Sequence, residues 1–260
     1  MMPKVSWLYA MTEGMANVES ELYQQMRELE EQHWWFVGRR AIVASLLRSS
    51  KLPENASLLD LGCGTGGNLA MLSEFGQVVG AERDQQAAQL AHQRGIAPIV
   101  RGTLPDRLPL GNGTFDCVTL LDVLEHIEDD QATLEAIHKL LLPAGVLLIT
   151  VPAFPFLWGA HDVAHHHQRR YRAKGLRQLL EASGYEVTTL SYCNTWLFPI
   201  AATVRLLRRY FPAGDAGADL SLPPAPINQL LAKLFASERH LLRAGLPFGI
   251  SLVVLAKKSC

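Results

Sequence analysis

The 260-residue sequence has few cysteines, no dominant charge and no long apolar run, and each absence narrows the class of protein. Its four cysteines, Cys63, Cys117, Cys193 and Cys260, are too far apart for a zinc-binding spacing or a dense disulfide framework. The formal net charge of -1 gives no overall attraction to nucleic acid. No apolar run approaches the roughly 18 residues that argue for a membrane-spanning helix, and the first 20 residues lack the sustained apolar core of a secretory signal. We therefore expect a cytoplasmic protein without a nucleic-acid partner.

Short apolar segments typical of buried strands alternate with amphipathic segments typical of helices. Strands are expected at ASLLDLG, QVVGAE, IAPIV, FDCVTLLD, GVLLITVP, YEVTTLSY and SLVVLAKK. Helices are expected at TGGNLAMLSEFG, which Gly76 would close, and at DQQAAQLAHQRG, DQATLEAIHKLL and AKGLRQLLEASG. This alternation predicts an α/β fold, a doubly wound, seven-stranded Rossmann-like sheet with right-handed crossovers.

Two helical additions are expected around this sheet. An N-terminal helical cap occupies residues 1–50, with a helix over 18–48 that HWWFVGRR interrupts, and the core follows at 51–194. About 55 residues separate the sixth and seventh strands, far more than a usual connection. We therefore expect a helical insertion at 195–249 and the final strand of the core at 250–260.

A glycine-rich loop, LLDLGCGTGGNL, lies where the first strand turns into a helix. Gly62, Gly64 and Gly66 let the backbone approach a ligand, and the start of the helix presents free N–H groups. Such a loop suits nucleotide-like ligands in general, and dinucleotide dehydrogenases use the same device. Taken by itself, the loop is also compatible with an NAD(P)-dependent oxidoreductase.

Two carboxylates near the loop narrow the class of ligand that it can bind. Glu82 ends the second strand, 20 residues after Gly62, where a carboxylate can accept hydrogen bonds from both hydroxyls of a ribose. Asp60 lies two residues before Gly62, where it would repel a pyrophosphate but attract an ammonium group. The loop therefore favours a cationic amino-acid nucleoside.

Four motifs in order resemble the class I S-adenosylmethionine-dependent methyltransferases, in particular bacterial small-molecule enzymes of types 11 and 23. They are LLDLGCGTGG, VVGAE, LPLGNGTFDCVTLLDVLEHI and LEAIHKLLLPAGVLLITVP, and the resemblance covers about residues 56 to 190. It implies S-adenosylmethionine as the cofactor, S-adenosylhomocysteine as the product, and an antiparallel final strand.

The resemblance also implies a set of cofactor-binding residues. Glu82 would hold the ribose diol and Arg83 would flank the adenine, while Thr103 stands where relatives usually offer an aspartate to the adenine. Arg39 or Arg40, in the HWWFVGRR segment that similar bacterial enzymes share, could reach the cofactor carboxylate. The remaining predicted cofactor contacts are Asp60, Gly62, Cys63, Gly64, Gly66, Asn68, Leu104, Leu121, Asp122 and His126, with Cys63 also expected as a small packing residue.

The stretch HDVAHHHQRRY leaves the fifth strand at the edge where ligands bind in such sheets. A metal site is one hypothesis, because His161 and His165 are four residues apart, but no third ligand beyond Asp162 is evident, so no metal is expected. Catalysis is the other: a subgroup of these enzymes has a similar D....H.RRY arrangement, which implies Asp162 and His167 as the active pair. His161 and Tyr171 are further candidates, with His165 and His166 as alternates. An ion-pair network around Asp162, or Tyr171 capping the following helix, is the structural alternative.

The insertion indicates the kind of acceptor. Its two apolar, cationic segments, 196–211 and 227–248, are predicted to form a lid, or else a surface that touches anionic lipid. Either arrangement suits a small or lipid-linked acceptor. The sequence thus predicts methyl transfer to an oxygen, nitrogen or carbon nucleophile, with a non-catalytic cofactor-binding or membrane-docking module as a further alternative. It makes no prediction about the oligomeric state.

Overall fold

A computed structural model describes residues 23–210 and 221–259, and within them it contains a seven-stranded mixed sheet. The strand order is β3-β2-β1-β4-β5-β7-β6, with β7 antiparallel to both of its neighbours and the other pairs parallel. The strands are β1 (Ala56–Leu61), β2 (Gly76–Glu82), β3 (Ile99–Arg101), β4 (Phe115–Leu121), β5 (Leu141–Pro152), β6 (Tyr185–Cys193) and β7 (Ser251–Lys258). The predicted fold class and the antiparallel final strand are confirmed.

Helices cover both faces of this sheet. They are α1 (Trp34–Ser49), α2 (Leu69–Leu72), α3 (Gln85–His92), α4 (Asp130–Leu140), α5 (Ala160–Ala164), α6 (Ala173–Ala182), α7 (Phe198–Tyr210) and α8 (Ala225–Ser237), with a further helical stretch at 23–32. None of the helices in the described ranges is long and apolar enough to cross a membrane.

The central strands are apolar on both faces because two separate cores lie against them. In β1, Leu58 packs into the core that includes α1, whereas Leu59 packs into the core that includes α4 and α6, and both residues are fully buried. Parallel strands that are covered on both faces need this continuous apolar sequence rather than simple alternation.

Two of the predicted helices differ from the structure. The interruption of the N-terminal helix is confined to His33, whose imidazole accepts a hydrogen bond from the Trp35 N–H and so caps α1; the rest of HWWFVGRR is helical. The helix expected to end at Gly76 spans only Leu69–Leu72, and Gly76 instead opens β2. A Cβ atom on Gly76 would lie 2.0 Å from the Ala56 carbonyl oxygen, so glycine allows the two strands to approach there. The predicted start of the N-terminal helix at Val18 lies outside the described residues.

The insertion packs on the N-terminal helices. Phe235 of α8 stacks on Trp35 of α1 with ring centroids 5.2 Å apart, directly above Gly38. The Asn228 side chain accepts a hydrogen bond from the Trp34 N–H at 2.8 Å and donates one to the Gln32 carbonyl at 2.7 Å. The two helical additions therefore form one layer, although about 190 residues separate them along the chain.

Candidate functional site

The glycine loop follows β1 and turns at the edge where β1, β2, β4 and β5 end. Gly62, Gly64 and Gly66 have φ angles of 69°, 56° and 86°, a left-handed region that side chains resist. A Cβ on Gly62 would lie 2.6 Å from the Val123 side chain, so the loop closes against the segment after β4. Among the described residues, a Cβ on Gly64 would meet one atom within 4 Å, a Glu30 oxygen, so the backbone there is accessible to a ligand from that part of the chain.

Glu82 is held at the end of β2 by backbone N–H groups. One carboxylate oxygen accepts from Gly64 at 3.0 Å, and the other accepts from Arg83 at 2.7 Å and Asp84 at 2.8 Å. Three donors fix the carboxylate without neutralising it, and its lone pairs leave room for further hydrogen bonds. This arrangement suits recognition of a diol.

Asp60 is buried at the end of β1, and one of its oxygens accepts a hydrogen bond from the Thr119 hydroxyl at 2.7 Å. Its other oxygen, Oδ2, has no hydrogen-bond partner within the described residues. Burial raises the pKa of Asp60 to about 7. A buried carboxylate with a spare oxygen is costly unless a donor or cation joins it, so the residue fits a cationic ligand.

The helical stretch 23–32 covers the outside of the glycine loop, a contact that the sequence did not indicate. Glu30 accepts a hydrogen bond from the Thr65 hydroxyl and forms an ion pair with Arg94. Arg40 donates to the Glu30 carbonyl at 2.6 Å and to the Gly67 carbonyl at 3.3 Å. Arg40, one of the two predicted ligands for the cofactor carboxylate, therefore ties the cap to the loop.

Arg39, the other predicted carboxylate ligand, forms an ion pair with Asp122 immediately after β4. Asp122 has a φ of 59°, and its second oxygen accepts a hydrogen bond from the Thr150 hydroxyl at 3.1 Å. Such a strained, well-anchored backbone is characteristic of functional segments. The charge of Arg39 also acts on Asp60, so Arg39 lies near both carboxylates beside the glycine loop.

The other predicted cofactor residues lie around the same edge. A Cβ on Gly80 would lie 2.9 Å from the Cys63 sulfur, so Cys63 packs against β2, and burial raises the pKa of its thiol. Asn68 is buried at the start of α2, Leu121 ends β4, and Arg83 is exposed after β2. Leu104 is half-buried in a reverse turn that Thr103 and Arg107 close by two backbone hydrogen bonds.

Asp162 and His167 are in direct contact in the segment after β5. The fully buried Asp162 accepts hydrogen bonds from His167 Nδ1 at 2.9 Å, Arg170 Nε at 2.7 Å and the Gly159 N–H at 2.8 Å. Burial alone would raise the pKa of Asp162, but the hydrogen bond from His167 and the charge of Arg170 hold it well below its usual range. An ionised carboxylate can only accept, so Nδ1 of His167 carries a proton, and in the neutral form of the ring Nε2 carries the lone pair.

The histidines of the two loops meet around His167. The ring of His126, from the turn after β4, lies 4.7 Å from the His167 ring and is perpendicular to it. His126 is exposed at the surface, but partial desolvation of its ring, followed by the neighbouring His167, lowers its pKa to about 4. His161 and His165 lie 4.3 Å apart, centroid to centroid. Glu125 is buried, its Oε2 has no hydrogen-bond partner among the described residues, and burial together with the charge of Asp122 raises its pKa well above the usual range.

The side chain of Tyr171 forms no hydrogen bond with these histidines within the described residues. Its buried hydroxyl donates to Asp130 at 2.9 Å, at the start of α4, rather than capping α6, the helix that follows it. Arg169 pairs with the same carboxylate at 2.9 Å. These contacts join the segment after β5 to the start of α4.

An aromatic group that the sequence did not reveal lies at the same sheet edge. Phe154, two residues after β5, has a φ of 57° and stacks on Tyr192, near the end of β6, with ring centroids 4.7 Å apart. Phe156 and Phe198 lie 5.2 and 5.7 Å from Phe154, and Phe248 lies 5.4 Å from Phe198. We call these five residues the aromatic cluster. Because β5 and β6 run in the same direction, the cluster and the histidines occur at the same edge of the sheet.

The sequence is similar to known proteins. Residues 32–190 match a family model described as a methyltransferase domain. A protein of Mycolicibacterium smegmatis named "Probable S-adenosylmethionine-dependent methyltransferase" is 28% identical over an alignment of 165 residues, and the match covers 61% of this chain and 62% of the relative. A ubiquinone biosynthesis O-methyltransferase of Cereibacter sphaeroides is 37% identical over an alignment of 106 residues, and the match covers 38% of this chain and 43% of the relative.

Among solved structures, an S-adenosylmethionine-dependent methyltransferase of Mesorhizobium loti superposes with a TM-score of 0.54 at 19% identity, covering 82% of this chain and 96% of that one. At this identity the likeness concerns the fold. The chain spans less than two thirds of the length of the two curated relatives.

Proposed function

The chain belongs to the class I S-adenosylmethionine-dependent methyltransferases, and from this premise we propose that it methylates a hydroxyl oxygen of a small or lipid-linked acceptor. The cofactor supplies an activated methyl group on a positively charged sulfur. Because the chain belongs to this family, we reject the alternative function of an NAD(P)-dependent oxidoreductase, with which the glycine loop alone is also compatible. In the proposed reaction the sulfur–carbon bond breaks, an oxygen–carbon bond forms, and the hydroxyl proton leaves to a base.

The contact between Asp162 and His167 carries the proposal for the base. Asp162 binds the proton on Nδ1 of His167, so in the neutral ring the lone pair is on Nε2. A neutral imidazole can accept a proton near neutral pH, and Nε2 would therefore act as the base. Arg170 and the Gly159 N–H keep Asp162 ionised and fixed, so it can stabilise the imidazolium that forms. We assign Asp162 as the residue that positions His167.

The cofactor would lie along the glycine loop. Glu82 would accept both ribose hydroxyls, since backbone donors already orient its carboxylate. Asp60 would receive the ammonium group through its spare Oδ2. Arg39 is held near this end by Asp122, and its Nε has no hydrogen-bond partner in the described part of the chain, which supports a contact with the cofactor carboxylate.

The aromatic cluster favours an acceptor with an apolar or aromatic body. Phe154 and Tyr192 lie at the sheet edge that also carries His167, and Phe156 and Phe248 are each 40% exposed. Aromatic faces bind flat apolar rings through stacking. The relative from Cereibacter sphaeroides is named as an O-methyltransferase of ubiquinone biosynthesis, which supports an oxygen nucleophile. On an acceptor with an aromatic body, that nucleophile would be a phenolic hydroxyl.

We also propose that α7 and α8 contact a membrane surface. On α7 the exposed side chains Ile200, Val204 and Leu207 recur at helical spacing, and on α8 Ile227, Leu230 and Leu234 do the same. A stripe of this kind suits either a bilayer surface or a lipid-linked acceptor. Sedimentation with anionic vesicles, compared between the wild type and the Ile200→Ser/Leu207→Ser variant, tests it.

The base is tested by kinetics with labelled S-adenosylmethionine and a panel of prenylated phenols, with amines of similar size for comparison. We expect His167→Gln to lower kcat by roughly 10²- to 10⁴-fold, and Asp162→Asn to lower it while shifting the pH profile, with S-adenosylhomocysteine binding intact. His166→Asn is the matched control, because His166 is exposed and belongs to none of these contacts. Transfer to amines alone, or full activity of His167→Gln, contradicts the proposal.

A further inference from the structure

A second set of groups converges on His167, whose Nδ1 atom is already bound by Asp162. Ligand atoms of Glu125, His126 and His167 all lie within 4.8 Å of one another. Glu125 and His126 come from the 3-10 turn Leu124–His126 after β4, and His167 comes from the segment after β5. Two loops that follow neighbouring strands therefore bring one carboxylate and two imidazoles to one point.

The carboxylate of this set is poised for a ligand. Glu125 is 1% exposed, and its Oε2 atom has no hydrogen-bond partner among the described residues. A buried carboxylate oxygen without a donor costs free energy, and a cation would satisfy it. His126 is exposed, which gives an ion a path from solvent to the buried oxygen.

The second imidazole is also prepared for coordination. Asp162 holds Nδ1 of His167 at 2.9 Å, and Arg170 and Gly159 fix Asp162 in turn. A carboxylate behind a histidine is the usual partner of a metal-bound imidazole, because it sets the ring orientation and leaves Nε2 for the ion. A tetrahedral zinc ion with bonds near 2.0–2.1 Å needs its ligand atoms roughly 3.4 Å apart, so modest side-chain rotations would close the set.

We infer that Glu125, His126 and His167 bind a divalent ion of the zinc class. Two imidazoles and one carboxylate match the ligand preference of zinc rather than that of magnesium or calcium, which favour oxygen ligands. Three protein ligands leave at least one coordination position for water or an acceptor oxygen. The site differs from the His161 and His165 pair that the sequence suggested.

The consequence for turnover rests on the proposed function. The ion binds the same Nε2 lone pair that would take the acceptor's proton, so bound zinc and the free base exclude each other. Zinc should therefore inhibit base-dependent methyl transfer, and removal of zinc with a chelator should restore it. The loop after β5 then makes activity sensitive to the supply of free zinc.

Binding is measured without any acceptor, so that its result is independent of the methyl-transfer assay. Chelator-treated protein is titrated with Zn²⁺ by calorimetry, and with Co²⁺ by visible absorption, which reports the coordination geometry. We expect one equivalent to bind, and Glu125→Gln and His126→Asn each to weaken binding by at least about tenfold. His166→Asn should bind as the wild type does. Thermal-shift titration with S-adenosylhomocysteine confirms that each variant is folded.

Three results overturn the inference: no stoichiometric binding, unchanged affinity in both Glu125→Gln and His126→Asn, or a loss of binding confined to His165→Asn. The last would assign the ion to the His161 and His165 pair. Zinc binding without inhibition refutes the competition for His167 and leaves the site standing. Loss of turnover in His167→Gln without zinc binding by the wild type refutes the site and leaves the proposed function standing.

Discussion

Arg39 of α1 forms an ion pair with Asp122, the first residue after β4, and so joins the helical cap to the segment that borders the site. The two side chains are 10% and 23% exposed, so the pair is largely shielded from solvent. Eighty-three residues separate the partners along the sequence. The cap therefore contributes a residue to the candidate site and is tied to the sheet there.

Removing Arg39 should destabilise the protein and weaken cofactor binding together. Arg39→Ala leaves Asp122 partly buried without its partner, at a cost of about 2–3 kcal/mol, below the range for fully buried pairs. Urea unfolding and titration with S-adenosylhomocysteine measure the two effects. The control is Arg48→Ala, whose ion pair with Glu74 is well exposed and should contribute less than about 1 kcal/mol. Equal effects of the two variants would contradict this account.

The contact between α1 and α8 is tested by two glycine substitutions. A Cβ on Gly38 would lie 2.3 Å from the Phe235 ring, so Gly38→Ala should lower the free energy of unfolding by about 1–3 kcal/mol. In Gly175→Ala of α6 the new Cβ meets nothing within 4 Å in residues 23–210 and 221–259, so this change should raise the free energy of unfolding by up to about 1 kcal/mol through helix propensity. Urea midpoints that move in the same direction would show that α8 does not pack on α1.

Asp60 should make stability fall as the pH rises. Burial raises its pKa to about 7, above the unfolded value near 3.9, so the folded state binds more protons between these two pH values. The free energy of unfolding therefore declines across the window from about pH 4 to about pH 7. Asp60→Asn should remove this part of the decline, so that the difference in melting temperature between variant and wild type grows with pH. A constant difference over that range would refute the assignment.

Glu82 should determine affinity for the nucleoside. Glu82→Gln has one carbonyl oxygen, which cannot serve both the backbone N–H groups and a ribose diol. We expect the Kd for S-adenosylhomocysteine to rise by at least about tenfold, in line with the loss of a hydrogen bond to a charged group. Glu186→Gln, an exposed change on β6, is the control. Calorimetry measures both, and an unchanged Kd for Glu82→Gln counts against ribose recognition.

Tyr171→Phe distinguishes a structural role from a catalytic one. The hydroxyl donates to Asp130, which keeps Arg169 as a partner after the change. We expect a loss of about 1 kcal/mol in stability and a kcat within a few-fold of the wild type. A fall in kcat comparable with that of His167→Gln would place Tyr171 among the catalytic groups.

Much of the fold could be predicted because its signals are local. SLVVLAKK predicts β7 with the bounds the structure has, since a continuous apolar run indicates a strand covered on both faces. The glycine loop and Glu82 could be predicted for a similar reason. Both are placed by a strand and the turn that follows it, and these form from neighbouring residues. The helix expected up to Gly76 was wrong because the close approach of β2 to Ala56, a contact between distant residues, decides what that glycine does.

The sequence by itself determined the order of strands and helices, the glycine loop and the presence of Asp162 and His167, because short-range patterns of apolar, glycine and charged residues encode them. Only the tertiary structure decided that Arg39 meets Asp122, that Glu30 covers Thr65, and that Glu125 and His126 face His167. The residues in these contacts are 35 to 83 positions apart along the sequence. A local sequence pattern does not indicate which distant residues come into contact. The sheet sets them, because it brings the ends of successive strands to a single edge.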